Sequence, residues 1–469
     1  MILCIDCGLT NGKLLLFSPE GVCQGEASFP TPLDREVLDT FALRERLYEA
    51  LSSLTRQADC DPAAITCITV SGHGNGLYAI GDTDVLPVGY SSMMTPPGEF
   101  LPEPGRTFPM ILQSDWAGQP LPILAWLKHT QPEVYYSMKT VLFCKDLLRW
   151  FLTGSAVTEE TDASAAGLLN GHTGAYDPNL LAVYGLEDAM DKLPTVIKSS
   201  QPGGYVTEAV AARTGLPAGI PVLGGLFDVN SCMVGAGVID EGLYSLTAGT
   251  WGINAAASRT LVETNAITQC CRFFGAADYV CIDSAPTSCT NLEWFVQNVL
   301  QNTPYRQVNE MVQQAAQDPG LLYLPYLYAP MDLPHAQGGF RGLKPHHTLA
   351  DMARAVYEGI VFEHRSRLEK LQRIGIKANA AVLSGGAANS VVFGQMFADV
   401  CGVEFRIPAQ SQAGALGGAI LGLTATGVYP DLTAAVQALV RTKAVFRPDP
   451  GTKDYYDRKF RLFMASRGK

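Results

Sequence analysis

Charged side chains are scarce in this sequence: they make up 17% of it, and nowhere do they gather into a run that would mark a linker or tail. Sparse charge combined with 47% hydrophobic residues excludes disorder as the main state. No run of 18 apolar residues occurs, so no membrane-spanning helix is expected. Basic residues are outnumbered, 34 against 45, for a net charge of −11. A chain with that field does not hold nucleic acid or anionic lipid by bulk attraction, although a local basic pocket for a small anion is compatible with it. The opening Met1-Ile2-Leu3-Cys4-Ile5-Asp6 lacks a basic leader and soon meets an aspartate, so no secretory signal is expected.

The familiar phosphate signatures are also missing. A Walker loop needs Gly-x4-Gly-Lys-Ser/Thr; the nearest match, ending in Gly12-Lys13, has Cys7 at the first glycine and Leu14 at the last position. No Gly-x-Gly-x-x-Gly follows a strand, which leaves a dinucleotide-binding Rossmann site unsupported. The 12 cysteines are scattered and read as free thiols in a reducing cytoplasm. One pair, Cys4 and Cys7, has CxxC spacing, but residues three apart on a strand face opposite ways, which argues against shared metal or redox chemistry.

What is present is an alternation of strands and helices over 469 residues, enough for about three domains or two large lobes. Residues 1–6 read as a buried strand and Thr10-Asn11-Gly12-Lys13 as a tight turn, followed by strands at 14–17 and 22–29. A helix is expected near 43–58 and a strand at 65–71. Near the middle the opening pattern returns: a strand at 244–247, the turn Ala248-Gly249-Thr250-Trp251-Gly252, and a return strand at 253–257. Two such units half a chain apart suggest an internal duplication within an α/β fold. Later come a helix over 348–373 stopping near Gly375, a short strand at 380–383, and a final helix carrying Tyr456, Phe460 and Phe463 on one face.

Three loops are chemically suggestive. Asp6 with Thr10, Asn11 and Lys13 can hold a magnesium ion and face phosphate oxygens, or can be an ordinary hairpin satisfying its own turn. Gly249-Thr250-Trp251-Gly252 offers close backbone approach and a hydroxyl, or a plain turn. Ser384-Gly385-Gly386-Ala387-Ala388-Asn389-Ser390 leaves room for a flat base beside a helix start, and Ala413-Gly414-Ala415-Leu416-Gly417-Gly418-Ala419 is similarly small. Close helix–sheet packing explains both equally well. Asp228 ends an apolar strand expected over 221–227, where it can cap the next helix or take a proton from a hydroxyl.

Taken in order, these segments resemble the FGGY family of carbohydrate kinases over essentially the whole chain, with a look nearest its L-xylulose kinase and xylulokinase-like members. The carrying segments include Ser71-Gly72-His73-Gly74-Asn75-Gly76-Leu77, Lys145-Asp146-Leu147-Leu148-Arg149, Thr161-Asp162-Ala163-Ser164 and Gly224-Gly225-Leu226-Phe227-Asp228. They continue with Gly249-Thr250-Trp251, Asn291-Leu292-Glu293-Trp294-Phe295, Gly339-Phe340-Arg341-Gly342-Leu343, Tyr357-Glu358-Gly359 and Ser384-Gly385-Gly386.

The resemblance implies a two-lobed actin-like ATPase (ribonuclease H-like) fold with a duplicated mixed sheet, closing around ATP. It divides the chain into an N-terminal lobe at 1–238, a C-terminal lobe at 239–440 and a docked helix at 441–469. It makes Asp6 the magnesium-associated residue and puts Thr10, Asn11 and Lys13 on the first phosphate hairpin. Gly249 and Thr250 fall on the second hairpin, and Gly385, Gly386, Asn389 and Ser390 at the adenosine turn. His73, Gly74 and Asn75 would line the sugar pocket, and Asp228 would be the general base. The implied reaction moves the ATP γ-phosphoryl group to a sugar hydroxyl, with a ketopentose such as L-xylulose as acceptor, in a cytoplasmic homodimer. One departure bears on substrate: where many members carry an acidic and a basic residue, this chain has Tyr90-Ser91-Ser92-Met93-Met94. A deoxy sugar or sugar acid is therefore an alternative acceptor. A non-catalytic actin-like regulator and a sugar-independent ATP hydrolase are the rivals from other classes.

Overall fold

The computed structural model describes residues 1–57, 61–330, 332–410 and 412–467. Two mixed sheets share one topology. The spine of the first is β1 (Ile2–Cys7), β2 (Asn11–Phe17), β3 (Cys23–Pro30), β4 (Cys67–Gly72) and β5 (Pro221–Leu223), in the spatial order β3-β2-β1-β4-β5. That of the second is β6 (Leu243–Ala248), β7 (Gly252–Ser258), β8 (Tyr279–Ala285), β9 (Ala380–Ser384) and β10 (Glu404–Pro408), in the order β8-β7-β6-β9-β10. In each, the first strand pairs antiparallel with its hairpin partner and parallel with the fourth. The duplication expected from two hairpins is thus one of whole-sheet topology.

Helices α1 (Thr40–Thr55), α2 (Cys144–Thr153) and α3 (Asp228–Gly235) accompany the first sheet. The expected helix over 43–58 starts three residues sooner, where the Asp39 carboxylate caps the Ala42 amide at 2.9 Å; its expected end at Ala58 lies outside the described residues. With the second sheet come α4 (Thr290–Asn298), α5 (Tyr305–Gln314), α6 (Leu349–Arg373), α7 (Val391–Cys401), α8 (Ala413–Ala425) and α9 (Lys453–Ser466). Thr348 and Asp351 form a reciprocal capping box that starts α6. On α9, Tyr456, Phe460 and Phe463 join the core that packs beneath α6. The Lys459 ammonium meets the Glu358 carboxylate at 2.6 Å there, a buried charge pair.

Of the four hydrophobic cores among the described residues, three follow from these layers. The outer face of the first sheet packs on α1 and α2, and the outer face of the second on α6 and α7. The inner faces of both sheets share a third core, filled by Met233 and Val234 of α3 and Leu416, Ala419 and Ile420 of α8. Cys4 belongs to that inner core and Cys7 to the outer one, as period-two alternation requires, so the CxxC pair cannot act together. Among the described residues no helix is long and apolar enough to cross a membrane.

The strand expected over 221–227 is broken. Gly224-Gly225 interrupts it, leaving β5 and the two-residue stretch Leu226–Phe227, both paired with β4. Gly225 takes φ +83°, and a Cβ there would lie 2.0 Å from the Val70 carbonyl oxygen. The backbone steps sideways at that glycine, and the step delivers Asp228 to the end of β4.

Candidate active site

Register alone brings the first acids together. Asp6 pairs with Lys13 across the hairpin and with Ser71 on β4, while Leu226 pairs with Ser71 from the other side. One residue further, Gly72 lies between Cys7 and Phe227. The chain therefore leaves three neighbouring strand ends at Gly8, His73 and Asp228. Ser71 donates its hydroxyl to Asp6 Oδ1 at 2.7 Å, and the His73 amide donates to the Cys7 carbonyl at 2.8 Å. Gly74 is confined by this approach, because a Cβ on it would lie 2.2 Å from the Phe227 ring.

Asp228 opens α3, and its Oδ1 accepts from the Val229 amide at 2.7 Å. Burial pushes its carboxyl up to about 7, opposed by the Val229 and Gly74 amides and assisted by the neighbouring Asp6 charge. Asp6 is raised too, chiefly by burial, with the Ser71 hydroxyl and Lys13 working against the rise. Burial lowers His73 to about 4, so its ring is neutral at physiological pH. Its Nε2 meets the Tyr78 hydroxyl at 2.9 Å, while Nδ1 is buried without a partner, as is Asn75 Oδ1 close by. Asn75 holds φ +62°, a left-handed conformation that Asn tolerates better than most residues. Two polar atoms left unpaired beside Asp228 are what a polyhydroxylated ligand would satisfy.

Behind Asp228 lies a layer of charge in which Lys145, Asp146 and Thr161, whose segments carry the family resemblance, are joined by Glu159, which no motif marks. The Phe227 amide donates to Thr161 Oγ1 at 3.0 Å, and the Thr161 hydroxyl donates to Glu159 Oε1 at 2.7 Å. Glu159 faces the fully buried Lys145 ammonium at 3.6 Å, and Lys145 also meets Asp146 at 2.6 Å. This chain of contacts anchors the residue preceding Asp228 from the protein interior.

The second hairpin faces a different space. Gly249, Thr250, Gly386, Asn389 and Ser390 line one cavity of about 510 Å³, which Asn309, Tyr357 and Phe393 complete. Gly385 has φ +83° and passes so close to the Ala248 carbonyl that a Cβ would come within 2.6 Å of its oxygen. A Cβ on Gly386, by contrast, would meet nothing within 4 Å: it points into open space. Trp251, beside Thr250, leans toward Trp116 of the N-terminal half with ring centroids 6.5 Å apart.

The remaining expected site residues have the following surroundings. Thr10 and Asn11 are exposed at the first hairpin. Lys13 is not free: its ammonium donates to Gln412 Oε1 at 2.9 Å, tying that hairpin to the start of α8. Of the two methionines, Met94 is buried in a further apolar core with Leu121 and Leu124, and only Met93 is exposed. The small-residue stretch 413–419 serves packing. A Cβ on Gly414 would come 3.0 Å from Asp6 Oδ2, and one on Gly417 would lie 1.9 Å from the Ser231 carbonyl oxygen.

Known proteins with matching sequence place this geometry in a family. The description "FGGY family of carbohydrate kinases, N-terminal domain" matches residues 105–235, and the corresponding C-terminal domain matches residues 244–426. A probable L-xylulose kinase of Haemophilus influenzae is 31% identical, covering 98% of this chain and 97% of its own. An L-xylulose/3-keto-L-gulonate kinase of Escherichia coli is 30% identical over 98% of this chain and 95% of its own. The solved xylulose kinase of Lactobacillus acidophilus superposes with a TM-score of 0.89 over 99% of this chain and 97% of its own, at 22% identity, a likeness of fold. With both halves of the sequence matched and near-complete coverage by relatives, this chain belongs to the FGGY family of carbohydrate kinases.

Proposed function

We propose that this sugar kinase phosphorylates a ketopentose such as L-xylulose, using Asp228 as general base and the 510 Å³ cavity as the ATP site. The observation that carries the reading is the Asp228 carboxyl, raised to about 7 and set one strand from Asp6 at the mouth of the first sheet. A base with that proton affinity is charged about half the time near pH 7 and still strong enough to take a hydroxyl proton. Asp228 orients the attacking hydroxyl and accepts its proton as the phosphoryl group leaves ATP. His73 Nδ1 and Asn75 Oδ1 hold the sugar. The Gly249-Thr250 turn takes the phosphates, and the wall at Gly386, Asn389 and Ser390 takes the nucleoside. Phosphoryl transfer asks a protein mainly for position and charge neutralisation, which these elements supply.

Asp6 is the residue fitted to hold magnesium. It is a carboxylate at a strand end beside a second acid, and the nearest lysine, though its charge favours the ionised carboxyl, gives its hydrogen bond to Gln412 and leaves Asp6 Oδ2 open. The ion would supply charge neutralisation on the phosphate oxygens. The same family likeness supports a cytoplasmic homodimer.

L-Xylulose is favoured because two relatives of near-full coverage carry that name. A sugar acid is the second reading, since the name of the E. coli relative also includes 3-keto-L-gulonate. A coupled ADP-release assay over ketopentoses of both hands, deoxy sugars and sugar acids decides between them. ADP release that depends on L-xylulose is the expected result. Release independent of any sugar would mean a hydrolase, and no release at all a regulator.

The cavity has its own test. Gly386→Leu starts a side chain where a Cβ meets no protein atom within 4 Å, so the variant is expected to fold, which its circular dichroism and Tm check. It is expected to raise KM for ATP by at least about tenfold, which needs only about 1.4 kcal/mol of lost contact. An unchanged KM would move the nucleotide elsewhere.

A further inference from the structure

Within the cavity, hydrogen-bond accounting singles out one side chain that the sequence analysis did not. Asn309 stands on α5, and its Oδ1 accepts two hydroxyl protons: from Tyr357 at 3.0 Å and from Ser390 at 2.7 Å. Neither hydroxyl has another acceptor among the described residues. Ser390 Oγ is also the N-cap acceptor for the Phe393 amide at 3.2 Å, so the hydroxyl accepts from the helix start while it donates to Asn309. The Tyr357 side chain is stacked on Phe393 with centroids 3.9 Å apart and is 1% exposed, so water does not relieve its hydroxyl from the core side.

Turned over, the amide would donate to both hydroxyl oxygens and send their protons elsewhere; as it stands, Oδ1 takes both protons. With Oδ1 engaged by both hydroxyls, the nitrogen is the end of the carboxamide left for a ligand. Asn309 lines the cavity, and its amide nitrogen has no protein hydrogen-bond partner among the described residues.

We propose that Asn309 is the residue that reads the base of the nucleotide, donating its oriented amide N–H to a ring nitrogen of adenine. This rests on the reading of the cavity as the ATP site. A fixed donor accepts only a base that turns a lone pair toward it. An edge carrying N–H at that position leaves two donors facing each other, which is how one buried group discriminates between bases. Ser390 and Tyr357 are positioning residues in this arrangement: they touch the amide oxygen and hold the donor in place.

The test is a cycle between protein and nucleotide. Asn309→Asp keeps an oxygen for both hydroxyls but turns an acceptor, not a donor, to the cavity. Adenine has three ring nitrogens able to accept here, N1, N3 and N7, and 1-, 3- and 7-deaza-ATP remove them singly. Wild-type enzyme is expected to lose about tenfold in KM with one of the three analogues, the scale of a single hydrogen bond. Asn309→Asp is expected to show that loss already with ATP, to lose no more than twofold further with the same analogue, and to keep its KM for sugar. If wild type tolerates all three analogues, or if Asn309→Asp stays as sensitive to them as wild type, the assignment is wrong. Gly386→Leu separates this from the site reading: should it leave ATP binding intact, the cavity itself is misassigned. Should it block ATP while the cycle shows no coupling, only the role of Asn309 falls.

Discussion

Asp228→Asn is expected to leave a folded enzyme that still binds sugar and turns over about 10²–10⁴ times more slowly. The amide matches the carboxylate in shape, and its oxygen can still accept from the Val229 amide as the carboxylate does at 2.7 Å. What it cannot do is take a proton. Equilibrium sugar binding, followed by calorimetry in the absence of nucleotide, should change little while kcat collapses. Wild-type turnover in the variant would remove Asp228 from the mechanism. The ionised form is the working one, so wild-type kcat/KM should fall about tenfold per pH unit below an apparent pKa near 7.

The same substitution should stabilise the protein at high pH. The folded-state value of about 7 lies above the ordinary 3.8, so the native state holds this proton more tightly than the unfolded chain. The stability that this provides is complete below the unfolded value and is lost as pH rises through the folded one. Asparagine has no charge to bury. The variant's Tm advantage over wild type should therefore grow between about pH 4 and pH 7 and level off above. A constant difference across that range would mean that the carboxyl is not held in its raised state. Activity and stability pull in opposite directions at this residue, as expected where a group is placed for reaction rather than for packing.

Much of the fold could be read from local pattern. The second hairpin, the strands ending at Cys7 and Gly72, and the long helix are governed by alternation, turn residues and capping within a few positions, whereas the first turn falls at residues 8–10, before the expected Asn11-Gly12, which open β2. The fold was legible also because the two halves repeat one plan. Parts of the site were not. Asp228 was a candidate from the strand before it, but its proximity to Asp6 comes from the step at Gly225, and only the close passage of β4 explains that glycine. Lys13 was a candidate for facing phosphate, but the glutamine that engages it lies 399 positions away and no local pattern announces it. Asn309 carries no motif: its role depends on Tyr357 and Ser390, 48 and 81 positions along the chain. The stretch 413–419 was ambiguous for a different reason, since small residues suit a flat ligand and a tightly packed helix equally well.

That stretch leads to the second large effect. Helices α3 and α8 meet backbone to backbone in the core shared by the two sheets. A Cβ on Gly417 would be 1.9 Å from the Ser231 carbonyl oxygen, and one on Gly235 would be 1.9 Å from that of Ala413. The Ser231 hydroxyl crosses the same contact to the Gly414 carbonyl at 2.7 Å. Both collisions are with backbone, which cannot turn aside as a long side chain can, so even a methyl group forces the helices apart. Gly417→Ala should cost about 1–3 kcal/mol by overpacking, seen as a Tm lower by several degrees. Gly98→Ala, where a Cβ meets nothing within 4 Å, is the control and should leave Tm unchanged. The consequence for catalysis is larger than the loss of stability. Asp228 is the first residue of α3, and the first turn of α8 carries Gly414 against Asp6. Separating these helices moves the base relative to the acid beside it. A displacement near 1 Å can cost about 10²-fold in rate even when every catalytic group is present. Gly417→Ala is therefore expected to lose about two orders of magnitude in kcat at temperatures well below its melting point. Were the variant to melt lower yet turn over at the wild-type rate, the α3–α8 contact would be structural only, and the position of Asp228 would be set by the Thr161–Glu159–Lys145 layer behind it.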